Sequence, residues 1–251
     1  MLYKVTELKN YQLNASDGEI GKVKDFYFDD RYWTVRYLVA NTGNWLTARK
    51  VLISPYALNG VHSEKEHIEV DLTKKQIEGS PSLEADKPVS KQFEQSYFGY
   101  YGWPGYWYGP YTWGNYYYPI FAPRAGTLSE EHKWDPDLRS TGEVSGYKLK
   151  AKDGDIGHIE NFIISDKTWV IRYLVINTRD WLPGKKVLVS PEWVEDVNWV
   201  LSDVTVDLIR DIIEQAPEYT DETVINRDYE EKLHSYYDRE GYWIREEAVK
   251  M

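Results

Sequence analysis

A chain of 251 residues has room for two domains of about 100 to 150 residues each. With 30 basic against 41 acidic residues the formal net charge is -11, and a surface of that sign repels polyanions, so nucleic acid is not an expected partner. Cysteine is absent, which removes disulfides, thiolate nucleophiles and sulfur-ligated metals together. No run of about 18 apolar residues offers a membrane-spanning helix. The opening residues MLYKVTELKN carry neither the apolar stretch nor the cleavage site of an export signal, so a soluble cytoplasmic protein is expected.

Taken in order, the chain reads as short strands between turn signals. Ser16-Asp17-Gly18-Glu19 predicts a turn, because glycine tolerates positive φ and aspartate bonds its own backbone. Ile20 to Phe28 follows as a strand, and Asp29-Asp30-Arg31 punctuates it. Trp33 to Ala40 is rich in β-branched and aromatic types and reads as a second strand. Lys50 to Ser54 is a third, stopped by Pro55, which has no N–H to give a ladder. The alternation His67 to Leu72 is a further strand and leads into one or two helical turns at Thr73 to Glu78. Five or six short strands in about 70 residues predict a small antiparallel barrel. Beyond it, Ser90 is a good N-cap, and Phe93, Tyr97 and Tyr101 recur every four residues, an aromatic stripe expected to pack on a barrel.

The segment Leu13 to Pro55 then returns as Leu149 to Pro191 at a constant offset of 136, with 22 of 43 positions identical and no gap. The register carries further: Val89 to Glu94 corresponds to Ile225 to Glu230, and Gly105-Tyr106-Trp107 to Gly241-Tyr242-Trp243. Each copy is therefore expected to be a structural unit complete in itself. The plan is a repeat over residues 1–81, a helical tail with an insert and linker over 82–142, a second repeat over 143–217 and a helical tail over 218–251. The expected fold is mainly β: two tandem small antiparallel barrels with short helical appendages, related by a pseudo-twofold axis.

Gln95 to Pro123 contains no charged residue and is dominated by Tyr, Trp, Gly and Pro. Such a segment either covers the groove between the barrels, presents a contact surface or stays disordered; Tyr and Trp suit a contact surface through their apolar faces and polar tips. Its candidate partner-binding residues are Tyr97, Tyr100, Tyr101, Trp103, Tyr106, Trp107 and Trp113.

No catalytic constellation emerges. Phosphate loop, dinucleotide fingerprint and nucleophile elbow are all missing. His62 and His67, with Glu64 and Glu66 between them, read as a solvated charged hairpin and not a metal site, and Asp17-Gly18 and Asp153-Gly154 as turns and not calcium loops. Neither a metal nor a cofactor is expected. Arg36 and Arg172 each sit in mid-strand, where a charge must be paired or reach the surface. They read as buried ion pairs with a carboxylate, for example one within Glu66 to Asp71 or Glu192 to Asp207; an anion anchor is the alternative.

The motifs that recur are Gly18, Ile20 and Gly21, Arg36 to Val39 and Lys50 to Pro55, with Gly154, Ile156 and Gly157, Arg172 to Val175 and Lys186 to Pro191. In these the two cores resemble PRC-barrel domains, the small β-barrel shared by the photosynthetic reaction-centre H subunit and the ribosome maturation factor RimM. The resemblance implies a protein-contact module and not an enzyme. The expected function is a non-catalytic scaffold that binds an unidentified protein through the aromatic insert and appended helices, with a homodimer as a further expectation. Two alternatives stand beside it: a membrane-surface accessory protein akin to the H subunit, and a small-ligand binder using the groove between barrels.

Overall fold

The computed structural model of the protein describes residues 1–43, 46, 49–84, 89–106, 138–178 and 184–248. In chain order the first part runs β1 (Leu2–Lys4), α1 (Val5–Leu8), β2 (Gln12–Ala15), β3 (Gly18–Asp29), β4 (Thr34–Asn41) and β5 (Arg49–Ile53). It continues with β6 (Leu58–His62), β7 (His67–Val70), α2 (Lys74–Gly79), β8 (Leu83–Glu84) and α3 (Lys91–Tyr101). The second part has β9 (Leu138–Ser140), α4 (Thr141–Val144), β10 (Lys148–Ala151), β11 (Gly154–Ser165), β12 (Ile171–Asn177) and β13 (Lys186–Val189). It closes with β14 (Val194–Asn198), β15 (Asp203–Val206), α5 (Arg210–Gln215), α6 (Arg227–Tyr236) and α7 (Tyr242–Ala248).

The protein is mainly β, built as two sheets in tandem. One follows the order β6-β7-β2-β3-β4-β5-β8, the other β13-β12-β11-β10-β15-β14, so the two copies share one strand order. Shifts of register fall at matching places, between Leu13 and Asn14 as between Leu149 and Lys150, and between Val23 and Asp25 as between Ile159 and Asn161. Each such bulge bends its strand, which lets the twelve-residue β3 and β11 curl around a core. That core is filled in the first copy by Leu13, Ile20, Phe26, Phe28, Leu38 and Ile68, all buried. Gly21 and Gly157 make the close crossing, since a Cβ on either would stand 2.1 Å from a backbone carbonyl oxygen, of Asn41 or Asn177.

Two expectations are corrected. The sheets are open and not closed barrels, and each contains one parallel pair, β2 with β7 and β10 with β15. Pro55 and Pro191 account for the opening: each starts a one-turn 3-10 helix capped by Ser54 or Ser190, which carries the chain out of line after β5 and β13. The second correction concerns the boundaries. The chain divides into one unit of Met1–Thr6 with Ser140–Ile244 and another holding Glu7–Arg139. Strand β1 pairs antiparallel with β11, Leu2 opposite Ser165 and Lys4 opposite Ile163, while β9 pairs with β3. Residues 138–140 stand at the repeat offset from 2–4, so the copies have traded their first strands, and residues 1–81 are not self-contained.

The strands β4 and β12 are buried on both faces. One face lines the curled core; the other carries Tyr37 and Val39, which with Leu52, Leu83, Tyr97, Phe98 and Tyr106 form a second apolar layer under α3. Helix α3 starts where the Ser90 hydroxyl accepts the Phe93 N–H (3.2 Å) and ends at Gly102, whose φ of 70° few other residues adopt readily.

Candidate functional site

The site forms where this appended helix meets the sheet. In the pairing of β3 with β4, Tyr27 faces Tyr37 and Phe28 faces Val35, which leaves Arg36 as the extra residue of a bulge. In β11 and β12, Ile163 faces Tyr173 and Ile164 faces Ile171, so Arg172 is the extra residue there. A bulge re-aims a side chain, and here it brings each mid-strand arginine to its neighbouring tyrosine's cluster. The Arg36 guanidinium is fully buried, donates from Nε to Asp29 Oδ2 (2.6 Å) and lies 4.2 Å over the Tyr106 ring. Asp29 ends β3, and its other oxygen accepts the Tyr32 N–H at 2.7 Å. The carboxylate therefore comes from the last residue of the neighbouring strand β3, and not from Glu66 to Asp71. Where the first copy has Asp29 the second has Ser165; Arg172 donates instead to the Thr168 hydroxyl (3.1 Å) and lies 3.8 Å over the Tyr242 ring, both outside Glu192 to Asp207.

Beside each arginine a carboxylate is buried, Glu94 at 1% and Glu230 at 3% exposure. Glu94 Oε1 accepts from the hydroxyls of Tyr37 (3.0 Å) and Tyr106 (2.6 Å). Glu230 Oε1 accepts from Tyr173 (2.9 Å) and Tyr242 (2.8 Å), and its Oε2 pairs with Arg227 at 3.2 Å. The arginine, the glutamate and both tyrosines repeat at the offset of 136, whereas Arg227 stands where the first copy has Lys91. One tyrosine comes from the sheet, the glutamate from the appended helix and the second tyrosine from the chain beyond it, so the carboxylate binds three segments into one body. His234 replaces Phe98 in the second cluster, with Nε2 3.0 Å from the Tyr173 hydroxyl and Nδ1 3.1 Å from the Glu240 carbonyl. A carbonyl only accepts, so Nδ1 donates to Glu240, while Nε2 stands within hydrogen-bond reach of the Tyr173 hydroxyl.

Burial, with the neighbouring glutamate next, holds the hydroxyls of Tyr37 and Tyr106 well above the usual phenol range, and does the same for Tyr173. Tyr97 is raised well above it by burial too; it donates to the Leu52 carbonyl (2.9 Å) and accepts the Ser54 N–H (3.2 Å). These phenols stay neutral donors. Chemically the clusters hold a helix against a sheet.

The candidate contact residues separate accordingly. Tyr97 and Tyr106 lie inside the protein's own core at 1% and 3% exposure and have no face to offer a partner, which corrects the expectation for both. Tyr100 is 45% exposed, and its hydroxyl donates to the Gln76 carbonyl at 3.0 Å. Half-buried Tyr101 and Trp103 stack at 4.4 Å, and Trp103 stacks on Tyr56 at 5.5 Å, so the C-terminal end of α3 presents an aromatic shelf. A shallow hollow of about 420 Å³ beside it is lined by Thr73, Lys75, Gln76, Glu78, Gly79 and Tyr100. Trp107 and Trp113 lie outside the described residues.

Sequence reasoning missed Glu94, Glu230, Tyr37, Tyr173 and Asp29. The signal was there: Glu94, Tyr97 and Phe98 fall at i, i+3 and i+4 on the apolar face of a helix, where a charge demands buried donors. It also missed that Asp17 and Asp153 accept the backbone N–H of Lys74 (2.8 Å) and Arg210 (2.9 Å), anchoring the first turns of α2 and α5.

An open, strongly bent sheet with a helix fastened over its outer face makes each half a small β-module. Residues 2–77 match the family model of the PRC-barrel domain. No curated protein matches the chain. Among the described residues no helix is long and apolar enough to cross a membrane.

Proposed function

We propose that the protein is a non-catalytic docking module made of two PRC-barrel copies, and that it binds a protein partner through the aromatic shelf of Tyr100, Tyr101 and Trp103 and the aromatic segment that follows. One observation carries this reading. The strongest polar groups, Glu94 and Glu230 with their tyrosines and arginines, are turned inward and hold helix to sheet, while at the end of α3 Tyr100 is exposed beside the half-buried Tyr101 and Trp103. A buried carboxylate closed to solvent and engaged by two hydroxyls has no substrate to act on. Rigid aromatic rings at a helix end, by contrast, bury large area at small entropy cost.

The test is affinity capture from native lysate with the full chain as bait, compared with a Tyr100→Ala/Trp103→Ala variant whose circular dichroism is unchanged. Co-purification of a discrete partner by the parent, lost in the variant, supports the reading. Identical capture by both proteins, or saturable thermal stabilisation by a small metabolite with no captured partner, would overturn it.

A further inference from the structure

We propose that His62, His67 and Glu69 form a binding site for a late first-row divalent cation of the Zn2+ or Cu2+ type. In sequence the two histidines, with Glu64 and Glu66 between them, read as a solvated charged hairpin; the strand register brings them together. β6 and β7 pair antiparallel with His62 directly opposite His67, and Glu69 lies two residues along from His67, on the same face of the ribbon. The three side chains converge. Glu69 Oε1 is 3.3 Å from His62 Nε2 and 3.8 Å from His67 Nε2, and one ligand atom from each residue lies within 4.8 Å of the others.

Two donors bound to one zinc ion at about 2.0–2.2 Å in a tetrahedron sit roughly 3.3–3.5 Å apart. One separation already fits, and the others close by side-chain rotation, which the half-exposed His62 and Glu69 are free to make. Opposite Glu69 stands Gly60. Its backbone is not in the left-handed region, so its missing side chain answers a need of space: a Cβ there would meet His62 Nε2 at 3.2 Å. Gly60 thus gives the His62 ring room to lean towards Glu69.

The fold itself does not ask for this set. At the matching positions the second copy has Asp196, Asn198, Asp203 and Thr205, with Asp203 taken by Lys150 at 2.6 Å. Two imidazoles and one carboxylate suit Zn2+, Cu2+ and Ni2+, and not the hard, oxygen-seeking Mg2+ and Ca2+. Solvent fills the remaining positions, so this is a binding site open to a further ligand.

The experiment is calorimetric titration of the chelator-treated full chain with ZnCl2, and with MgCl2 and CaCl2 as separate arms. One equivalent of Zn2+ should bind. His62→Ala or His67→Ala should each weaken it by roughly tenfold or more, Gly60→Ala should weaken it by crowding His62, and His158→Ala should leave it unchanged. Cu2+ as a spectroscopic probe should show two imidazole nitrogens in its electron spin resonance spectrum. No saturable Zn2+ binding, binding that survives the His62→Ala/His67→Ala double substitution, or equal binding of Mg2+ would overturn the proposal.

Discussion

Glu94→Gln tests the physical basis of the helix–sheet junction. The replacement keeps the side chain's shape, and its Oε1 can still accept from Tyr37 and Tyr106, which now reach it at 3.0 and 2.6 Å. What changes is charge and donor count. A hydrogen bond to an ionised acceptor is worth about 1.5–3 kcal/mol against about 0.5–1.5 kcal/mol for a neutral one, so two bonds together lose about 2 kcal/mol. The new amide also brings two N–H donors into a site 1% exposed, where each unmet donor costs about 1–3 kcal/mol. With one of the two donors left unmet, a total loss of about 3–5 kcal/mol is expected. Tyr106→Phe alone should cost about 1.5–3 kcal/mol, and combining it with Glu94→Gln should cost clearly less than the sum, since both remove one bond. Urea unfolding of the full chain, followed by far-ultraviolet circular dichroism and tryptophan fluorescence, measures these values. Limited proteolysis should show new cleavage flanking α3. A Glu94→Gln loss below about 0.5 kcal/mol, with strict additivity in the cycle, would refute the reasoning.

The strand exchange predicts a specific cross-link in a chain that has no native cysteine. Leu2→Cys with Ser165→Cys joins opposed residues on β1 and β11 and should oxidise to one intramolecular disulfide, because paired residues stand about 4.5–5.5 Å apart. Lys4→Cys with Tyr27→Cys, the pairing a self-contained first repeat would require, should stay reduced; the reverse pattern on a non-reducing gel contradicts the exchange. The buried phenols predict an alkaline limit. Tyr37, Tyr97, Tyr106 and Tyr173 have folded pKa values raised well above the ordinary 10.0, so their contribution is complete below about pH 10 and is lost as pH climbs above it. Absorbance at 295 nm should show a cohort of tyrosines ionising only as the circular dichroism collapses. Ionisation of all 22 tyrosines along one reversible curve with the fold intact would contradict this.

Much of the architecture was legible because the chain states it twice. Turns at Asp17-Gly18 and Asp153-Gly154, the strands around Arg36 and Arg172, and the stops at Pro55 and Pro191 each follow from local chemistry. The exchange of first strands was not. Leu2–Lys4 and Leu138–Ser140 are equivalent positions with equivalent partners, so either can complete either sheet and residue types alone do not choose. Closure failed as an expectation for a local reason: the Ser54-Pro55 and Ser190-Pro191 caps turn the chain through a 3-10 helix, and a count of strands does not reveal it. The arginines advertised a buried partner, yet the partner's identity depended on a one-residue bulge that places Asp29 within reach. Glu94 and Glu230 could have been found, since a glutamate on the aromatic face of each appended helix is a charge that the helix must bury with donors in hand. The His62, His67 and Glu69 set needed the hairpin register, and with it the absent side chain at Gly60 gains a purpose.

Photo-cross-linking from the helix end bears most directly on the docking role. A benzophenone amino acid replaces Tyr100 in one full-length variant and Lys65, on the β6–β7 turn, in another, and both are irradiated in native lysate. Tyr100 should yield a discrete, saturable covalent adduct that unlabelled parent protein competes away, while Lys65 yields none. Absence of a competed adduct at Tyr100, or the same adducts from both positions, would contradict the account.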